Sequence, residues 1–178
     1  MSKDYTFNPG DFVVYPTHGV GQVKGIVHIP NYGDREFIQI DFQKKSKFNP
    51  CKSSVFVDVN NVATNGLRQL VSSTQMDAAI HILKGKAKRN PKLQWNKRQK
   101  EYRSKIDSGD LSSIAEVVRD LYRHPDSEKK RNSEREVYED AMDRFASEYA
   151  ALNKIDESDA ITKLESILQS KYTPKSSL

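Results

Sequence analysis

The spacing of the apolar residues changes near Leu70, and this change constrains the fold more than any other feature of the sequence. Between Asp11 and Leu70, apolar and β-branched residues alternate with polar ones in short runs, which are "FVVYP", "GQVKGIVHI", "REFIQIDF" and "SVFVDV". A period of two is typical of strands with one buried face. Turn sequences such as "THG" and "PNYGD" separate the runs. Residues 1–70 are therefore predicted to form a small five-stranded barrel of the SH3-like or Tudor-like type.

After Leu70 the strand signals stop and helix signals replace them. The residues that signal helix starts and stops are Ser73 or Thr74, Gly85, Asn90 with Pro91, Asp110, Pro125, Ser133 with Glu136, and Asp156 or Ser158. They divide residues 71–172 into about five helices, of which the last ends at Tyr172. The sequence thus predicts an all-α second domain, followed by a flexible tail at 173–178.

Composition excludes several classes of protein. The chain has 178 residues, of which 36% are hydrophobic and 30% are charged, as expected for a protein that folds in water. No run approaches the ~20 apolar residues that cross a bilayer, and the first residues lack the apolar segment of a secretory signal. The single Cys51 has no cysteine partner, and the four histidines lack the spacing of metal ligands. We therefore expect a cytoplasmic protein with no membrane partner, no metal and no cofactor.

The positive charge is concentrated in one block of the chain. Residues 84–105 carry ten basic groups against the single acidic Glu101, a balance of +9, whereas the whole chain has a net charge of +5. Such a block attracts polyanions, and nucleic acid is the usual partner, although a solvated basic helix without a partner has the same composition.

The only tryptophan, Trp95, lies inside this block. Trp95, Tyr102 and Ile106 share one face of a helix, which favours a place at the edge of a core. Trp95 also lies in the first turn of the predicted helix, where a side chain can overhang the end of a bundle. Spacing alone leaves both interpretations open.

The sequence resembles the CarD/CdnL family of bacterial regulators that bind RNA polymerase. The first domain of that family is shared with the polymerase-interacting domain of the transcription-repair coupling factor. The stretches that carry the resemblance are "GDFVVYPTHGVGQVKGI" at 10–26, "VNNVATNGLRQL" at 59–70, "WNKRQKEYRSKIDSGD" at 95–110, "IAEVVRDLYR" at 114–123 and "SEREVYEDAMDRFASEYA" at 133–150. They cover nearly the whole chain in order.

The resemblance implies a β-domain that docks on the polymerase β subunit and a helical domain that contacts promoter DNA at the upstream edge of the transcription bubble. The protein would act as a monomer with the housekeeping sigma holoenzyme, largely independently of DNA sequence, and would join the nucleoid through polymerase. Trp95 matches the family's tryptophan, which wedges into the minor groove where paired DNA meets unpaired DNA. Lys97, Arg98 and Lys100 match the family's basic helix and are expected to contact phosphates or the minor groove.

The β-domain departs from the family at several positions. Ile29 and Phe56 stand where some relatives carry arginines, and Asp58 stands where a proline is common. If exposed, Ile29 or Phe56 would be an apolar anchor for polymerase beside a paired edge strand; if buried, either would belong to the barrel core. The loop at 43–54 is longer than is usual in the family.

A second function stays open from the sequence. A KOW-like barrel and a basic helix would also suit an RNA-binding or ribosome-associated adaptor. An enzyme is not expected, because no constellation of residues resembles a catalytic site. The "HGVG" segment, for example, is not followed by the lysine and hydroxyl residue of a phosphate-binding loop.

Overall fold

The structure, a computed structural model, describes residues 7–44, 51–90, 92–123 and 132–171. The first part of the chain forms an antiparallel sheet. Its strands are β1 (Phe12–Tyr15), β2 (Gly19–His28), β3 (Glu36–Lys44), β4 (Cys51–Asp58) and β5 (Arg68–Gln69). Their order across the sheet is β4-β3-β2-β1-β5, so only β1 and β5 are neighbours that do not follow one another in the chain.

The predicted small, Tudor-like β-module is confirmed, but its sheet is open. β4 and β5 lie at the two edges of the described sheet, so the word barrel fits only loosely. The loop predicted at 43–54 is shorter than expected, since β3 continues to Lys44 and β4 begins at Cys51. The connection at 45–50 lies outside the described residues.

A row of branched side chains crosses the sheet and forms the centre of its core. Val23 lies opposite Ile40, which in turn lies opposite Val55. Val23 and Ile40 are almost completely buried. A Cβ atom at Gly21 would stand 2.7 Å from both Ile40 and Phe42, so only glycine fits where β2 passes these side chains. The period of two in the sequence of β3 correctly indicated which of its residues are buried in this core.

Five helices follow in the described residues, as predicted. They are α1 (Ser73–Lys84), α2 (Trp95–Asp107), α3 (Leu111–Leu121), α4 (Asn132–Asn153) and α5 (Glu157–Gln169). α3 is buried along most of its length and packs against α1, α2 and α4. The core of the bundle contains fully buried Leu83, Val118, Phe145 and Leu164.

Several predicted helix ends are confirmed. The carboxylate of Asp110 accepts a hydrogen bond of 2.8 Å from the N–H of Ser113 and so caps α3. The N–H of Gly85 donates to the carbonyl of Ile82 and closes α1. Asp156 stands at the N-cap of α5, although its side chain makes no capping hydrogen bond.

The predicted starts of three helices, α1, α4 and α2, are wrong. Ser72, rather than Ser73 or Thr74, caps α1, because it forms a reciprocal capping box with Gln75. Ser133 is not a cap, since α4 already includes Asn132.

Asn90 does not begin α2, which starts five residues later at Trp95. The segment before α2 is held against the end of α3 instead. The N–H of Lys88 donates to the Asp120 carboxylate at 2.9 Å, and the Arg89 guanidinium donates to the carbonyls of Asp120 and Tyr122. The predicted signals at Pro91, Pro125 and Tyr172 and the predicted tail at 173–178 lie outside the described residues.

Polar contacts join the sheet to the helices. Arg68 of β5 forms a bidentate ion pair with Glu148 of α4, at 2.7 and 2.9 Å, and also donates to the carbonyl of Gly109. Glu148 is buried and accepts a further hydrogen bond from the N–H of Val71. Arg144 of α4 donates to the carbonyl of Pro16, in the turn after β1. The division of the chain into domains at residues 70 and 71 stays a prediction.

Two kinds of feature are absent from the described residues. None of the helices there is long and apolar enough to span a membrane. No group of His, Cys, Asp and Glu side chains there is arranged to hold a metal ion.

Candidate nucleic-acid interface

Helix α2 has one buried face and one basic face. Tyr102 and Ile106 are buried against the bundle, and Trp95 and Arg98 continue this face toward the start of the helix. The N-cap residue of the helix, Gln94, makes no side-chain capping hydrogen bond. Trp95 is therefore the first residue of a helix whose N-cap side chain does not bond the N–H groups of the first turn.

Trp95 lies at the edge of the core and also at the exposed start of its helix, so both interpretations of the sequence hold in part. Its side chain is half-buried and packs against the helical core, with its ring centroid 6.4 Å from that of Tyr102. The guanidinium carbon of Arg98 lies 5.5 Å from the centroid of the indole ring, within the range of a cation–π contact. The indole Nε1 is shielded from solvent and has no hydrogen-bond partner in the structure as described. The ring thus lies at the edge of the core and keeps part of its surface in solvent.

Arg98 is more enclosed than a phosphate ligand was expected to be. Only 18% of its side chain is exposed, and its Nη2 lies 4.0 Å from the carboxylate of Glu134. The same carboxylate accepts a hydrogen bond of 3.2 Å from Arg123. Arg98 is therefore mostly buried, with its guanidinium over the indole ring of Trp95.

Lys97 and Lys100 differ from Arg98 in that both are exposed. They lie within the first two turns of α2, close to Trp95 in the chain, and carry their charge into solvent. Lys84, Lys86, Lys88 and Lys92 of the basic block are also exposed. The first two turns of α2 therefore carry two exposed lysines and a partly exposed tryptophan, on different faces of the helix.

Two other basic residues of the block form ion pairs with carboxylates of the same chain. Arg103 pairs with Asp140 at 3.0 Å, and Lys105 pairs with Glu116 at 2.6 Å. The hydrogen bond from Lys105 lowers the pKa of Glu116 below its ordinary value. These two cations tie α2 to α4 and α3, so the charge available to a ligand is smaller than the count of residues suggests.

Sequence reasoning missed Glu134 and Arg123, which complete the surroundings of Arg98. A signal for Arg123 was present, because it lies in the "AEVVRDLYR" stretch. Glu134 gave no signal, since its pairing with Arg98 joins the first turn of α4 to the first turn of α2 and appears only in the fold.

The two candidate anchors of the β-module have different surroundings. Phe56 is 46% exposed on β4, so the alternative that it belongs to the core is wrong. It lies opposite Gln39 of β3. Ile29, just beyond the end of β2, is half-buried. Its burial therefore favours neither the exposed anchor nor the core residue. Sequence reasoning missed the exposed Tyr32, whose ring meets that of Phe37 edge-on at 5.6 Å.

Comparison with known protein families matches each half of the chain to a family model. Residues 7–71 match the model of the CarD-like/TRCF RID domain, and residues 78–165 match that of the CarD C-terminal domain. The chain belongs to the CarD family. It is also 27% identical over 157 residues to YdeB of Bacillus subtilis (strain 168), a protein named as a transcription factor; the match covers 85% of this chain and 95% of YdeB.

Membership in the CarD family confirms the predicted resemblance and makes this chain a CarD-like transcription regulator that interacts with RNA polymerase. The polymerase-interacting part is the β-module, and the CarD C-terminal domain spans most of the bundle, including all of α2. These matches favour transcription over the alternative of a ribosome-associated RNA adaptor.

Proposed function

We propose that this CarD-family protein bridges the β subunit of RNA polymerase and promoter DNA at the upstream edge of the transcription bubble. In this proposal Trp95 wedges into the minor groove and stabilises the open complex, in the housekeeping sigma holoenzyme. The observation that carries the proposal is the position of Trp95: it is the first residue of α2 and is partly exposed, and the exposed Lys97 and Lys100 lie within the first two turns of the same helix.

This arrangement suits the junction of paired and unpaired DNA. An apolar side chain can enter a partly unstacked base step, whereas lysines on a neighbouring face of the same helix hold the phosphates without reading bases. The affinity should therefore depend strongly on salt and weakly on sequence. Packing against Tyr102 limits how far the indole can move, which favours a rigid wedge over a mobile one.

The β-module supports the polymerase half of the proposal. β4 is an edge of the described sheet, and an edge strand can accept a strand of the partner through backbone hydrogen bonds. Phe56 projects from this strand with much of its ring in solvent, so it is the better candidate of the two for an apolar anchor.

The mechanism is thermodynamic linkage and needs no chemistry. A protein that binds the open promoter complex better than the closed one shifts the equilibrium toward the open form by that difference in affinity. A wedge needs an existing bubble edge, so its main effect would be to slow collapse of the bubble. We therefore propose a regulator without enzymatic activity.

The substitution Trp95→Ala tests this proposal. Because the ring is only half-buried, we expect a loss of about 1–2 kcal/mol in the free energy of unfolding, below the ~3–5 kcal/mol of a fully buried tryptophan. The folded variant should still bind polymerase but lose most of its ability to prolong the open complex. The measurements are thermal unfolding by circular dichroism and the lifetime of the open complex after a competitor challenge.

Tyr149→Ala is a matched control. Tyr149 is also a half-buried aromatic residue that packs against the helical core, but it lies on α4. It should lower stability by a similar amount and leave the open-complex lifetime unchanged. Equal lifetimes for Trp95→Ala and the parent protein would remove Trp95 from the mechanism.

A further inference from the structure

A buried carboxylate lies next to the arginine that covers Trp95. Glu134 is 6% exposed and stands in the first turn of α4, where the helix dipole favours a negative charge. One of its oxygens faces Arg98 at 4.0 Å, and the other accepts a hydrogen bond of 3.2 Å from Arg123. A single carboxylate thus holds two guanidinium groups.

The contacts of Arg98 leave its orientation dependent on Glu134. Its guanidinium carbon lies 5.5 Å from the centroid of the indole and its Nη2 lies 4.0 Å from the carboxylate, and its Nε is buried without a hydrogen-bond partner among the described residues. An arginine has five N–H donors and prefers to satisfy them, so only a buried counter-charge keeps it in this place. Without Glu134, solvent or a phosphate would offer Arg98 better partners.

We propose that Glu134 is a positioning residue for the DNA-contacting tryptophan. It holds Arg98 against the indole of Trp95, so that Arg98 props the ring while Lys97 and Lys100 attract the phosphates. This inference rests on the proposed function of Trp95 and changes the role expected for Arg98, which becomes a support for the wedge and not itself a phosphate ligand.

The proposal gives Glu134→Gln two effects of opposite sign. The substitution removes one negative charge and frees two arginines, so binding to plain duplex DNA should tighten and become more salt-dependent. The unsupported indole should at the same time prolong the open complex less, by roughly two- to fivefold, the factor that a cation–π contact is worth at a partly exposed site. A residue that only stabilised the fold would not separate these two quantities.

The position of the indole can be measured in the free protein, because Trp95 is the only tryptophan. Acrylamide is a neutral quencher, so its access to the indole does not respond to the change of charge. We expect Glu134→Gln to increase acrylamide quenching and to shift the emission to longer wavelength. Arg98→Ala, which leaves the Glu134–Arg123 pair in place, should give the same spectroscopic change and the same shorter lifetime, without tighter binding to duplex DNA.

Glu139→Gln is the control for charge. Glu139 also lies on α4 and pairs with Arg135 on the surface, so its substitution changes the net charge equally without touching Arg98. It should leave quenching and lifetime as in the parent protein. Unchanged quenching in folded Glu134→Gln would overturn the positioning role, as would a lifetime that rises with duplex affinity. If instead quenching changes but Trp95→Ala leaves the lifetime intact, the proposed function fails, and the role of Glu134 in DNA contact fails with it.

Discussion

Lys97 and Lys100 carry exposed charges, whereas Arg98, Arg103 and Lys105 face carboxylates of the protein. The same formal charge therefore has different uses along α2. An exposed lysine keeps its full attraction for a polyanion, and a paired one contributes mainly to holding two helices together.

The double substitution of Lys97 and Lys100 by Ala should weaken DNA binding on every sequence by a similar factor. Each lost phosphate contact should reduce the slope of log affinity against log salt by roughly 1. The measurement is a fluorescence titration at several salt concentrations. As a control, Lys24→Ala with Lys163→Ala removes two exposed charges from β2 and α5 and should change the slope little. An unchanged slope in the first variant would exclude these lysines from the interface.

At this scale the sequence singled out the residues proposed to meet DNA but not how each is held in the fold. Trp95 and the lysines lie in one stretch of chain, so a local pattern could single them out. The enclosure of Arg98 depends on Glu134, which is distant in sequence and reaches α2 only through the packing of α4. No local pattern encodes such a pair.

At the scale of elements, the start of α3 was predictable because a side chain caps its own helix. Asp110 caps α3 through residues three positions away, and a local signal therefore sufficed. The start of α2 was missed because the segment before it is held by Asp120 of α3, so a tertiary contact overrides the local signal of Asn90. The order of strands and the open sheet likewise depend on pairing between distant segments.

Asp110→Ala should lower the free energy of unfolding by about 1 kcal/mol, the usual value of an N-cap. Its carboxylate accepts hydrogen bonds from both the N–H and the hydroxyl of Ser113, at 2.8 Å each. Asp156→Ala provides the comparison, because Asp156 holds the same position on α5 without a capping hydrogen bond. Urea unfolding of both variants should show the larger loss for Asp110. Equal losses would mean that the capping bond contributes nothing.

The edge strand β4 offers a separate test of polymerase docking. Phe56→Ser should weaken binding of the full chain to the polymerase β subunit by several-fold and lower stability only modestly, because the residue is 46% exposed. Ile26→Ser is the matched control: Ile26 is 55% exposed, and its pairing with Ile38 places it on the opposite face of the sheet from Phe56. Surface plasmon resonance would measure both. A greater loss for Ile26→Ser would move the docking surface to the other face.

At the scale of the whole molecule, the sheet and the bundle each have a core of their own, and polar contacts cross between them. Arg68 and Glu148 make the most extensive of the described contacts of this kind, with two hydrogen bonds between them. Arg68 also donates to the carbonyls of Gln69 and Gly109, and Glu148 accepts from the N–H of Val71. The proposed bridge between polymerase and DNA would work best if its two ends kept a fixed orientation. This pair is placed to fix the orientation of the sheet relative to α4.

Removing either partner of this pair should destabilise the protein, but not equally. Arg68→Met leaves the charge of Glu148, whose side chain is 2% exposed, without a counter-ion, and we expect a loss of about 3–5 kcal/mol. Glu148→Gln should cost less, because the side chain of Arg68 is 31% exposed and can turn to solvent. The pair Arg135–Glu139, with the same 2.7 Å separation, is the control; its arginine is 68% exposed, and Arg135→Met should lower stability far less than Arg68→Met. Thermal and urea unfolding would rank the three variants. If Arg68→Met and Arg135→Met lost the same amount, the contact between sheet and bundle would have to be held by other residues.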